Sequence, residues 1–268
     1  MPKGEDRAKV RGLKPDIMRF FAGLLCLMIV PSLQAQTIVN TETLMLPADS
    51  GFIWTAGVSG DFSAGNRDVL DVTSDAGFST RVGNTTFKLI GSWNRLAKDG
   101  VSIQSSAFSH LRMEYGAAGG WQAFGFAQIS SNDVLLMRSR NLMGSGLKRR
   151  IIDGTRGAAT VSWGCFWEHE VYDAEVVPSQ MLRNSFILSG RWEVAQGIQM
   201  RYTTYLQSDY RNWQDSRAFF EWTWDIAVLD QVALEWNLGI RWDGDPHAGL
   251  RPLDVGSSAG LRFGFDGD

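Results

Sequence analysis

The residues best suited to chemistry gather in the stretch AFSHLRMEYGAAGGWQAFGFAQ, residues 107–128. Ser109 and His110 stand side by side, and Arg112 and Glu114 follow. A serine next to a histidine suggests a nucleophile and its base. If the stretch is a strand, geometry forbids that pairing, because adjacent strand residues point to opposite faces. Ser106 shares the His110 face, but four residues of strand separate them by roughly 13 Å, far beyond hydrogen-bond reach. His169 has the opposite parity to Glu168 and Glu170, so that trio is not a metal cluster. His247 falls in a loop. The sequence GSG at 144–146 lacks the Lys and Ser/Thr of a phosphate loop. It reads instead as a place where backbones or bulky neighbours approach closely. No catalytic residue, metal site or cofactor is expected.

Everything therefore turns on the elements that carry these residues. The dominant period from residue 52 onward is two, the period of strands. In VALEWNLGIRWD, Val232, Leu234, Trp236, Leu238, Ile240 and Trp242 share one face. Glu235, Asn237, Arg241 and Asp243 share the other. Such segments recur over 52–64, 68–82, 86–97, 102–116, 121–133, 137–152, 157–172, 181–196, 198–208, 216–229, 232–243 and 255–265. No helical segment lies between them, which excludes a parallel α/β sheet, and short connections make an antiparallel meander. The connections alternate. Gly83-Asn84, 117–120, 153–156, Gln196-Gly197 and Asp230-Gln231 are tight. SAGNRD, LAKDGV, DAEVVPSQ, SDYRNWQDS and DGDPHAGLRPLD are longer or more polar.

Length and composition point the same way. The segments suit a tilted membrane-spanning strand, which needs roughly 9 to 11 residues, better than a soluble strand of about 5 or 6. The chain has 268 residues with 11 Trp, 29 Gly and only 7 Pro. Trp54, Trp93, Trp121, Trp163, Trp167, Trp192, Trp222, Trp224, Trp236 and Trp242 all fall on the apolar faces. These indoles are too bulky to fill one small barrel core, whereas lipid and interfacial belts accept them. The expectation is an all-β, antiparallel, up-and-down transmembrane β-barrel of about twelve strands. Its alternatives are a soluble periplasmic β-barrel that binds a small ligand and an outer-membrane enzyme that modifies lipid.

The N-terminus supports export. FFAGLLCLMIV, residues 20–30, follows Arg19 and precedes a small-residue exit at Ala35. Basic flank, short apolar centre and small exit residue form a secretory signal over residues 1–35, with Met18 a possible true start. Its removal leaves 20 basic and 26 acidic residues, a net charge near −6, and one cysteine, Cys165. A near-neutral to acidic chain of this kind does not point to nucleic acid. Residues 36–51 read as a short periplasmic lead and 52–268 as the barrel domain. The expected location is the outer membrane of a Gram-negative bacterium, with both termini periplasmic and outer-membrane lipid around the wall. The final strand ends on alternating aromatics. Gly260, Phe263 and Phe265 match the C-terminal signal read by the barrel-assembly machinery, although Asp266-Gly267-Asp268 follow it.

FSHLRMEYG at 108–116, WQAFGFAQ at 121–128, LLMRSRNLMGSGLKRR at 135–150 and WGCFWEHE at 163–170 together resemble a family of outer-membrane barrels. That family is labelled salt-induced outer-membrane proteins, a domain family of unknown function. The resemblance implies an outer-membrane barrel and supplies no activity and no catalytic residues.

Parity then places the charges inside, since charges facing lipid at mid-depth are costly. The lumen-facing candidates are His110, Arg112, Glu114, Arg138, Arg140, Glu168, Glu170, Arg191, Glu193, Arg201, Glu221, Asp225, Glu235 and Arg241. Asp61, Asp71, Asp75, Lys88 and Lys148 share that face, as do Phe108, Phe124, Phe126 and Phe166. Two readings follow for function. Opposite charges brace a nearly closed, water-containing interior, or they line a narrow pore for small polar or charged solutes.

Overall fold

The computed structural model describes residues 38–44, 51–64, 68–117, 119–173, 178–229, 232–247 and 250–263. The strands are β1 (Gly51–Ser63), β2 (Val69–Val82), β3 (Thr85–Lys98), β4 (Val101–Tyr115), β5 (Trp121–Asn132) and β6 (Met137–Asp153). They continue as β7 (Gly157–Tyr172), β8 (Ser179–Ala195), β9 (Ile198–Asp209), β10 (Ser216–Leu229), β11 (Val232–Asp243) and β12 (Leu253–Phe263). One helical turn, α1 (Thr41–Leu44), precedes them. Each strand pairs antiparallel with its successor in one 12-stranded sheet. The expected spans agree to within a residue or two at most ends.

Alternation along each strand separates inside from outside. On β4, Phe108, His110, Arg112 and Glu114 are buried, while Leu111, Met113 and Tyr115 are exposed. Trp54, Trp93, Trp121, Trp163, Trp167, Trp192, Trp222 and Trp242 are exposed on the outer face. The inward side chains of β4 to β9 surround one cavity, and Arg217 of β10 reaches Glu168 of β7 across the interior. The sheet is thus curled into an up-and-down barrel that is apolar outside and charged inside, the inverse of a soluble barrel. Among the described residues no helix is long and apolar enough to cross a membrane.

Within LAKDGV, β3 and β4 join through the two residues Asp99 and Gly100, at φ 51° and 78°. Asp-Gly is the dipeptide that a two-residue hairpin with both φ positive selects. Of the lead expected over 36–51, residues 38–42 lie inside the barrel (below). The signal segment 1–35 and Phe265 lie outside the described residues. Among the described residues no ladder joins β1 to β12, and β1 is exposed along nearly its whole length.

Candidate functional site: a layered lumen

The connections 133–136, 210–215 and 244–252 mark one end of the barrel, called here the loop end, and the tight turns mark the other. Three layers of side chains fill the lumen between them on the β4–β11 side.

The layer nearest the loop end is ionic. Glu168 is fully buried and accepts from Arg140 Nε at 2.7 Å, from Arg183 Nε and from Arg217 Nη1 at 3.2 Å. Glu170 accepts two bonds from Arg217, at 2.9 and 3.1 Å, and lies 3.0 Å from Arg140 Nε. Arg183 donates to both carboxylate oxygens of Asp215, at 2.7 and 2.8 Å. Arg217 Nε donates to Asp243 at 3.0 Å. Forked guanidinium–carboxylate bonds of this kind are the strongest ionic contacts available to side chains. Each partner sits on a strand or at its end.

The middle layer is aromatic and contains His110. Its ring stacks between Phe108 at 6.3 Å and Phe126 at 5.4 Å, and Nδ1 lies 3.2 Å from Gln128 Oε1. Phe126 continues the stack to Phe124 at 6.4 Å and Phe166 at 6.1 Å. The glycines of GSG allow this. A Cβ on Gly144 would meet Phe126 Cε1 at 2.8 Å, and one on Gly146 would meet Phe124 Cζ at 2.6 Å. Bulky neighbours thus approach the strand closely where it carries no side chain, as expected for GSG. Ser109 projects to the other face, so His110 is a stacked, hydrogen-bonded lumen residue. A cavity of about 50 Å³ remains beside the rings, room for about three waters.

The layer nearest the turns is ionic again. Glu114 lies 3.0 Å from Arg112 Nε, 3.3 Å from Lys88 and 2.6 Å from Lys148. Arg112 is 2% exposed and packs its guanidinium over the Phe124 ring at 4.2 Å. The lead enters here. Glu42 accepts from Arg112 Nη1 at 2.6 Å, and Asn40 donates to Glu221 at 2.7 Å. Thr41 Oγ1 and the Glu42 backbone N–H both reach Tyr205 Oη. Ile38 is 3% exposed and packs with Ile187, Tyr205 and Phe219. Burial alone would push the Glu42 carboxyl up, but the Arg112 guanidinium, helped by Lys148, holds it below the ordinary carboxylate value.

The remaining candidates divide. Arg201 pairs with Asp225 at 3.0 Å and Glu235 at 3.3 Å, and Arg241 lies over the Phe219 ring at 5.0 Å. Glu193 is half-buried and Arg191, which faces Arg201 in register, is exposed. Arg138 is a correction. A bulge between Met137 and Ser139 breaks the alternation, and Arg138 pairs with Asp173 at the loop end with two thirds of its side chain exposed. Arg183, Arg217, Asp215 and Glu42 were missed, whereas Asp243 was on the polar face of its segment without being singled out. Arg183 and Arg217 share the parity of Arg191 and Glu221, so alternation could have found them. Asp215 lies in a connection and Glu42 in the lead, where alternation gives no signal.

The β1–β2 side differs. Asp61 and Asp75 are exposed and Asp71 and Thr73 half-exposed, with Asn94 donating to both Asp71 and Thr73. Among the described residues no group of His, Cys, Asp or Glu is arranged to hold a metal ion.

An apolar outer wall and an ion-paired lumen on one up-and-down sheet define a membrane β-barrel. The chain belongs to the family described as "Protein of unknown function, DUF481", which matches residues 56–265. That is the family of unknown function the motifs suggested; its description says nothing of salt induction. No curated protein matches the chain. A NanC porin structure is similar, with TM-score 0.45 and 9% identity over 80% of this chain and 99% of that one. So is the translocator domain of the autotransporter NalP from Neisseria meningitidis, with TM-score 0.41 and 13% identity over 80% and 87%. The β domain of the Bordetella autotransporter BrkA has TM-score 0.36 and 11% identity over 80% and 99%. Likeness at this level says nothing about what this chain binds or moves.

Proposed function

We propose that the protein is an outer-membrane barrel with a braced, sealed half and a narrow, acid-lined water passage along β1 and β2. It is exported by its N-terminal signal, assembled through its last strand and has no catalytic role. One observation carries the passage: Asp61 and Asp75 of β1 and β2 are exposed and Asp71 and Thr73 half-exposed, while most inward groups of β4 to β7 and of β10 are buried in ion pairs and stacks. Asp61, Asp71 and Asp75 are the acidic groups on that face, and Arg81, bonded to the Gly83 carbonyl at the turn end, is a cation of the same parity. A lane edged by carboxylates attracts cations, as acidic rings do in cation-selective pores.

Folded protein in a planar bilayer is expected to give small conductance steps with cation preference. Asp71→Asn with Asp75→Asn should move the reversal potential toward that of a non-selective pore. Absence of steps from protein shown to be folded leaves only the closed, structural barrel. The enzyme reading is tested separately: outer-membrane lipid composition that changes on expression and reverts with His110→Ala would establish it.

A further inference from the structure

We infer that the lumen socket holding residues 38–42 is a binding site for an amphiphilic carboxylate, and that the lead is its resident occupant. This is independent of the passage along β1 and β2. The lead offers the socket an apolar group and a carboxylate. Ile38 fills a depression formed by Ile187, Tyr205 and Phe219. Glu42 places its carboxylate on Arg112, a guanidinium 2% exposed and backed by the Phe124 ring. No strand of the barrel supplies that carboxylate. With the lead withdrawn, Arg112, Lys88 and Lys148 face Glu114 as the carboxylate bonded to all three. The wall is therefore cationic beside an apolar depression, and it is complemented by a segment that is not part of the sheet.

A second observation extends the site beyond the lead's own contacts, into space that Ile38 and Val39 would vacate. The neighbouring cavity of about 50 Å³ is bounded by Ile38 and Val39 on one side and by the Phe124, Phe126 and Phe166 rings on the other. Into this region face His110, 4% exposed, and Gln207, 8% exposed. Their Nε2 and Oε1 atoms have no hydrogen-bond partner. Buried polar atoms are rarely left so. A solute with a ring against the phenylalanines, a polar group for His110 or Gln207 and a carboxylate for Arg112 would satisfy all of them. The lead satisfies only the last.

The probe is 4-phenylbutyrate, with 4-phenylbutan-1-ol as its uncharged counterpart, titrated calorimetrically into the full mature chain in nanodiscs. The lead competes, so the apparent affinity is reduced by the fraction of barrels from which it is absent. Ile38→Ser with Glu42→Gln should therefore tighten 4-phenylbutyrate binding by about tenfold or more. The alcohol should bind at least about tenfold more weakly, for want of the charge-assisted bond. Arg112→Gln in the released variant should abolish the difference between acid and alcohol. A peptide of residues 36–44 should displace the acid from the released variant, a readout that needs no change in the barrel wall. Equal affinity in wild-type and released protein, equal binding of acid and alcohol, or no displacement by the peptide would each overturn the assignment.

Discussion

At the scale of single residues the lumen is decided by whether each buried charge has its partners. Glu168 joins three guanidinium groups. Removing one member of a buried ionic set leaves the others desolvated and unpaired, at a cost of about 3–5 kcal/mol. Glu168→Ala should lower the temperature at which the folded, fast-migrating form is lost on a gel, far more than Glu235→Ala at its half-exposed site. Gly146→Val should also destabilise, by about 1–3 kcal/mol, because its side chain has nowhere to go but into Phe124 and the Trp163 carbonyl. Glu42 supplies a pH test. Its carboxyl is held low in the docked lead by Arg112 and Lys148, with Glu114 opposing. A lowered value in the docked state stabilises docking above the ordinary carboxylate pKa, and that contribution is lost as pH falls through the docked value. A bimane label at Val39→Cys, in a Cys165→Ser background, should emit to the blue at neutral pH. It should shift to the red only once the pH is below the ordinary carboxylate range, and Glu42→Gln should remove the transition.

At the scale of elements, alternation made most of the wall legible. Period two separates the more buried from the more exposed face of β4, β7, β9 and β10, and Arg112, Glu168 and Asp225 are buried on the first. It failed where pairing slips. The bulge beside Arg138 turns that side chain out, and a bulge depends on the partner strand, which the local pattern does not contain. It also could not say which inward arginine meets which carboxylate. Arg217 and Glu170 stand 47 residues apart and meet only because the sheet curls. The Asp99-Gly100 hairpin was readable, since Asp-Gly is its own signal, but the polar residues around it masked it. Single cysteines test the arrangement of ends. In a Cys165→Ser background, Asp99→Cys, Asp173→Cys and Asn212→Cys should react alike with an impermeant thiol reagent on intact cells. Asn84→Cys and Thr155→Cys should not. The reverse pattern would invert the barrel in the membrane, and a mixed pattern would refute the strand count.

At the scale of the whole molecule, stability and location come from one inversion: apolar outside, ionic inside. A bilayer tolerates only structures whose backbone groups are satisfied within the fold. The mature chain is expected in the outer-membrane fraction of a Gram-negative host, with mobility that changes on heating. Recovery of folded protein from the soluble periplasm would refute the membrane assignment.

The ion pairs between β7 and β10 skip two intervening strands. No hairpin contains both partners, so the bonds of Arg217 to Glu168 and Glu170 form only when β10 has joined the sheet. A half-made sheet ending at β7 carries Glu168 and Glu170 with Arg140 beside them, one positive charge to two negative. Arg183 arrives with β8, and Arg217 closes the set only with β10. A chain truncated before β10 therefore lacks the two bonds that Arg217 gives Glu170.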